Sequence, residues 1–225
     1  MEYEDEANFD DELSRIENEK HKEYILLTKS KMDELMAVMN SERFKHADSK
    51  HGVEIYSFKD EDAGVFCVKG EGIVDFPIDE CLDYIGDYSN RGKMDEMFVE
   101  GGVVEDIGMN ARIEKFRMNP SSLVSDRDFV IVTRKVHTSS GRVIWIACSC
   151  EHDDVPPVKG VVRGVLIIGG WILDPVQDDH NKTFAHYIVE GDPKGSLPKM
   201  LVNMGSKKQG LLPYKLNKAM HKDLD

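Results

Sequence analysis

From Asn40 onward the chain is a succession of short runs rich in β-branched and aromatic residues, each bounded by turn residues: VEIYSF, GVFCVKGEGIVDF, GGVVEDIG, ARIEKF, RDFVIVTRKV, RVIWIACSC, VVRGVLIIGGWIL and KTFAHYIVE. One helical pattern interrupts them, PIDECLDYIGDY, with Ile78, Cys81, Leu82 and Ile85 at helical spacing behind a proline start. Parallel neighbours need a crossover after every strand, so runs that follow one another without helices must pair antiparallel. The pattern predicts eight or nine strands in an antiparallel meander and places the chain in the α+β class.

Both ends read as helical. Residues from Asp10 to about Asn40 are rich in Glu, Lys, Leu and Met and free of Pro and Gly, which fits one helix or two consecutive ones. Seven carboxylates precede the first basic residue; residues 1–12 are expected to form a flexible acidic N-terminus and 13–225 a single domain. That acidic start is the opposite of a secretory signal, and the chain is read as cytoplasmic. The segment Ser196–Leu224 spaces Leu197, Met200, Leu201, Met204, Leu211, Leu212, Leu216, Met220 and Leu224 on one helical stripe. Pro213 lies inside that pattern, removing the bond to the Gln209 carbonyl, and Gly210 weakens the same turn, so a long kinked helix is predicted. Its stripe fits a helix packed on the sheet, and its methionines also suit variable apolar partners.

Composition closes several functional classes. A formal net charge of −13, with no basic stripe or aromatic RNA-binding motif, disfavours nucleic acid as a partner. The longest apolar stretch, Gly164–Leu173, is roughly half the length of a bilayer-spanning helix. The four cysteines, Cys67, Cys81, Cys148 and Cys150, form no CxxC pair and read as reduced core thiols; no metal site is indicated. The eight histidines supply no HExxH, and there is no GxSxG elbow, so catalysis is not expected; His186, on the last strand, is the one candidate for a base. From Lys194 to the end, seven lysines stand against two aspartates, a local excess that suits either a solvated helix face or anionic lipid headgroups.

The strand DRDFVIVTRKV places Asp128, Val130, Val132, Arg134 and Val136 on one face and Arg127, Phe129, Ile131 and Thr133 on the other. A guanidinium among valines needs a carboxylate. Pairing ARIEKFRM with this strand about Val124 would set Glu114 opposite Arg134 and Phe116 opposite Val132. Two readings stay open: a polar contact inside an apolar cavity, or a surface cross-strand salt bridge worth at most about 1 kcal/mol.

Taken in order, HGVEIYSFKD, FCVKGEGIVDFPIDECLDYI, SDRDFVIVTRK, KGVVRGV and EGDPKGSLPKMLVNMGSKKQGLLPYKL resemble the START (steroidogenic acute regulatory protein-related lipid transfer) family over roughly Glu42 to Lys222. The resemblance implies a helix-grip fold, a curved antiparallel sheet around a long C-terminal helix, with a hydrophobic tunnel for one lipid and no cofactor. It implies that Glu114 and Arg134 face each other in the cavity, and that the loop Met118–Ser125, with Leu123 at its apolar tip, opens at a membrane surface. Candidate lipid-binding residues are therefore Glu114, Phe116, Val132 and Arg134, the wall aromatics Trp145, Trp171 and Tyr187, and Leu201, Met204, Leu212 and Leu216 of the helical stripe. Leu123, Gly210 and Pro213 are candidate gate residues. Where many members have a Trp-Asp pair, this chain has Met94 and Asp95. The expected partner is a single lipid, phospholipid favoured over sterol or ceramide, carried by a monomer in transient contact with membranes. The alternatives are a lipid-gated sensor module and, less favoured, a helix-grip cyclase or hydrolase.

Overall fold

The computed structural model describes residues 8–61, 64–195 and 207–224. The N-terminal helical stretch divides into α1 (Phe9–Ser14) and α2 (Glu19–Met39). Asn18 makes the division: its side-chain oxygen accepts hydrogen bonds from the backbone N–H groups of Lys20 and His21 and caps α2.

Ten strands build one sheet: β1 (Lys45–Lys50), β2 (Val53–Asp60), β3 (Val65–Val74), β4 (Phe98–Gly108), β5 (Ala111–Met118), β6 (Arg127–His137), β7 (Val143–Ser149), β8 (Val162–Arg163), β9 (Val165–Val176) and β10 (Asp179–Asp192). Between β3 and β4 lie α3 (Ile78–Gly86) and α4 (Tyr88–Met94). The spatial order is β1-β2-β3-β10-β9-β7-β6-β5-β4, antiparallel throughout, with β8 pairing parallel to the start of β6. It departs from a simple meander because α3 and α4 carry the chain to the far edge, and β10 returns beside β3.

Two of the ten strands exceed the sequence expectation. In β1, KHADSK is polar and almost wholly exposed. It forms because the left-handed pair His51 (φ 55°) and Gly52 (φ 76°) makes a tight turn into β2. Gly164 separates β8 from β9; a Cβ there would lie 2.5 Å from the Phe129 ring.

Both faces of the central strands are covered, which explains their nearly continuous apolar runs. On the outer face, Met32, Leu35 and Met36 of α2 pack on Ile144, Ile146, Ile168, Ile172 and Ile188. Phe9, Tyr24 and Ile25 cover Ile113, Val130 and Val132. On the inner face, α3, α4 and the C-terminal helix meet Trp145, Trp171, Leu173 and Tyr187.

The predicted kink in the C-terminal helix is a break. Residues 207–210 are helical, Leu211 is a turn, and α5 (Leu212–Leu224) begins anew with Pro213 in its first turn, where a missing N–H has no partner to lose. Gly210 seats its backbone directly on Gly70 of β3. Leu197, Met200, Leu201 and Met204 lie outside the described residues.

Candidate functional site

Between the inner face of the sheet, α4 and residues 207–210 lies a cavity. Its apolar wall comes from alternate residues of successive strands: Phe66 and Val68, Phe116, Phe129 and Ile131, Trp145, Trp171, Tyr187 and Val189. Trp171 and Tyr187, opposite one another on β9 and β10, pack with ring centroids 4.8 Å apart, and Phe116 stacks on Phe129 at 5.0 Å.

One end is polar. Glu114 is only 5% exposed. Its Oε1 accepts from Arg112 Nε and, at 3.0 Å, from the Thr133 hydroxyl; its Oε2 accepts from the Tyr88 hydroxyl at 2.7 Å. Arg112 lies over the Trp145 ring at 5.1 Å and Arg91 over Phe116 at 5.9 Å. Burial, followed by the Glu114 charge, pushes the Tyr88 phenol well above its ordinary value. Burial alone would lower Arg91, but Tyr187, Asp95, Tyr88 and Glu114 outweigh it and hold the guanidinium above its usual range. Asp95, 1% exposed, accepts from Gln209 Nε2 at 3.1 Å and so ties the helical turn 207–210 to this cluster.

At the other end, Met118, Pro120, Arg127 and Pro193 line the cavity beside the 119–126 loop. Arg127 is 3% exposed. It donates to three backbone carbonyls: Ser125 at 2.5 Å, Pro193 at 3.3 Å and Lys194 at 3.3 Å.

The predicted pairing of Glu114 with Arg134 is corrected. Glu114 faces Ile131, and Arg134 faces Ala111, a displacement of three positions. Pairing begins at Met118 and Arg127, so the eight-residue connection 119–126 is not centred on Val124. An odd displacement exchanges faces. Arg134 is therefore on the outer face, 4.8 Å from the Phe9 ring centroid and with Nε 3.4 Å from the Met109 carbonyl. Val132 likewise packs under the N-terminal helices with Ile113. The cavity guanidinium partner is Arg112, two residues before Glu114 on the same face of β5.

Phe116, Trp145, Trp171 and Tyr187 stand in the cavity wall. Leu212 and Leu216 are corrected to core positions: the α5 stripe buries them with Ala219 and Met220 against the inner face, and they do not line the cavity. Leu123 is 89% exposed on a turn closed by Val124 N–H to the Ser121 carbonyl. His186 is no cavity base; it lies on the outer face, with Nδ1 3.2 Å from Glu71 and Nε2 3.5 Å from Asp174. Asp174 is in turn held by Arg142 at 2.6 and 2.8 Å. Burial pushes the thiols of Cys81, Cys148 and Cys150 up to about 12.

A curved antiparallel sheet closed by helices around an apolar cavity with a buried polar cluster defines the helix-grip class. The START domain profile matches residues 40–215, and the chain belongs to that family. It is 30% identical over 148 residues to START domain-containing protein 10 of Mus musculus, covering 66% of this chain and 49% of that protein. It is 29% identical over 138 residues to the steroidogenic acute regulatory protein of Xenopus laevis, covering 60% and 48%. The chain thus spans about half the length of these curated relatives. In fold it superposes on human StAR-related lipid transfer protein 5 with a TM-score of 0.82 at 20% identity, covering 91% of this chain and 100% of that one. Human STARD10 follows with a TM-score of 0.73 at 24% identity, covering 84% and 78%. Among the described residues, no helix is long and apolar enough to cross a membrane.

Proposed function

We propose that this chain, as a single unit over residues 13–225, carries one lipid in the cavity and transfers it between membranes, preferring phospholipid to sterol or ceramide. The preference rests on the donor excess of the polar cluster. Both oxygens of Glu114 are engaged, whereas Arg112 and Arg91 each bring five N–H groups, more than that carboxylate can accept. Phosphate oxygens, which only accept, complement such a cluster; sterol and ceramide hydroxyls bring donors of their own.

Lipid transfer is the activity carried in the name of StAR-related lipid transfer protein 5. The energetics favour a carrier: exposing a diacyl lipid of about thirty methylenes to water costs on the order of 25 kcal/mol. An apolar cavity offers the lipid nearly the same environment as a bilayer, so exchange between the two is close to isoenergetic. The gate consists of the loop Met118–Ser125 with Leu123 at its tip and the helical break between Gly210 and Pro213; the carrier works as a cytoplasmic monomer in transient contact with membranes. Binding is favoured over catalysis because the described cavity wall carries no histidine, cysteine or serine.

Native mass spectrometry with lipid extraction, on protein from a eukaryotic host, tests this. Wild type should hold one phospholipid per chain, and Arg91→Met should lose that preference. No lipid at all, or the same sterol in both proteins, would overturn the proposal.

A further inference from the structure

Among the described residues Arg127 is not held by a carboxylate, as three other, partly buried arginines are. Arg112 is paired with Glu114, Arg142 with Asp174 and Arg163 with Asp128. Arg127 is 3% exposed, lines the cavity, and among the described residues donates to backbone carbonyls alone; burial displaces its pKa downward. A buried guanidinium stays charged, and carbonyl dipoles offset its desolvation less well than an anion does. Two of its three hydrogen bonds, those to Pro193 and Lys194, are long at 3.3 Å. These bonds tie the end of β10 to the loop 119–126, so the side chain both faces the cavity and fastens two of its bordering segments together.

We propose that Arg127 is the entry station for the phosphate of an incoming phospholipid, and that taking the phosphate releases the carbonyls of Pro193 and Lys194 and loosens this end of the cavity. This inference rests on the lipid-carrier reading above. Arg127 stands six residues before Thr133 on β6, so the station lies roughly 20 Å from the Glu114 cluster, at about 3.3 Å per residue. It acts on uptake, before the headgroup reaches Arg91 and Arg112. The geometry suits a monovalent phosphate diester because a planar guanidinium can trade two carbonyl acceptors for two phosphate oxygens.

The test compares uptake from vesicles of phosphatidylcholine and of diacylglycerol with the same acyl chains, for wild type, Arg127→Gln and Arg127→Lys. Losing one charge-assisted contact should slow phosphatidylcholine uptake by Arg127→Gln about 10- to 100-fold relative to diacylglycerol. Diacylglycerol uptake should not slow, because the fastening is also gone. Arg127→Lys, which keeps the charge but not the fork, should fall between. A parallel melting series with inorganic phosphate separates sources: stabilisation of wild type but not of Arg127→Gln by free phosphate would mean that the station accepts the bare ion as well, and would support it. Equal slowing of both lipids in Arg127→Gln and Arg127→Lys would overturn the inference, leaving Arg127 a structural fastener. If wild type takes up neither lipid, the carrier reading itself fails.

Discussion

The helical turn 207–210 meets the sheet glycine on glycine, which sets a quantitative expectation for Gly70→Ala. A Cβ on Gly70 would lie 1.8 Å from the Gly210 carbonyl oxygen and 2.7 Å from its carbonyl carbon. Ordinary carbon–oxygen contact is about 3.3 Å, so β3 and the helical turn 207–210 must separate by about 1.5 Å. The obstacle is backbone, with no side chain to rotate aside, which puts the cost near the top of the overpacking range, about 3 kcal/mol. For a chain of this size that corresponds to a fall in Tm on the order of 6–12 °C. Gly102→Ala is the control: nothing lies within 4 Å of its added Cβ, so Tm should hold or rise slightly. Differential scanning calorimetry of both variants, with hydrogen exchange across 207–224, measures the effect. If Gly70→Ala melts with Gly102→Ala and protects α5 as wild type does, the Gly70–Gly210 seat does not hold the helix down.

Arg112→Leu, by stripping Glu114 of its buried partner, should cost roughly 3 kcal/mol in urea unfolding, with part regained on adding Glu114→Gln; Arg134→Leu should change stability while leaving the bound lipid species unaltered, and a change of lipid would restore Arg134 to the cavity. His186 tests the outer face: burial opposes its protonation, but hydrogen bonds and charge from Asp174 and Glu71 prevail and raise its pKa above the ordinary 6.5. Its contribution is therefore complete below about pH 6.5 and lost as pH rises through the folded value, so wild type should lose Tm on alkalinisation above that point where His186→Gln does not; parallel Tm–pH curves would contradict this. Leu123→Asp should leave Tm unchanged, because the side chain is 89% exposed, yet slow lipid exchange between vesicles. Pro213→Ala, by permitting a continuous helix through Leu211, should also slow exchange, and wild-type rates in either variant would remove that element from the gate.

The strands were legible wherever a β-branched or aromatic run such as VIWIAC or RDFVIVTR stood between turn residues, and the family motifs supplied the architecture around it. Which face looks into the cavity was not legible, because β6 and β7 are covered on both sides and carry no polar face to mark the outside. A register centred on Val124 differs from the actual one by three positions, which exchanges the faces of Arg134 and Val132. Arg112 could have been found: in ARIE the arginine and glutamate are two apart and share a face of β5. Tyr88 and Arg91 could not, since YSNRGKM has no apolar stripe, and α4 is capped by the Asp87 side chain and anchored by Met94. β1 escaped notice for the related reason that an exposed edge strand has no hydrophobic signature, only a turn that forces it into place.

Helices α1 and α2 cover the face of the sheet away from the cavity, which matters for a carrier of the kind proposed. A carrier is empty once per delivery, and a protein whose only core was its cargo site would unfold at that moment. Here Ile25, Met32 and Leu35, each at most 1% exposed, are packed against strands on the side away from the cavity. The solid core and the hollow one share the same strands but not the same side chains. On the proposed function, cargo would leave without taking the stability of the fold with it.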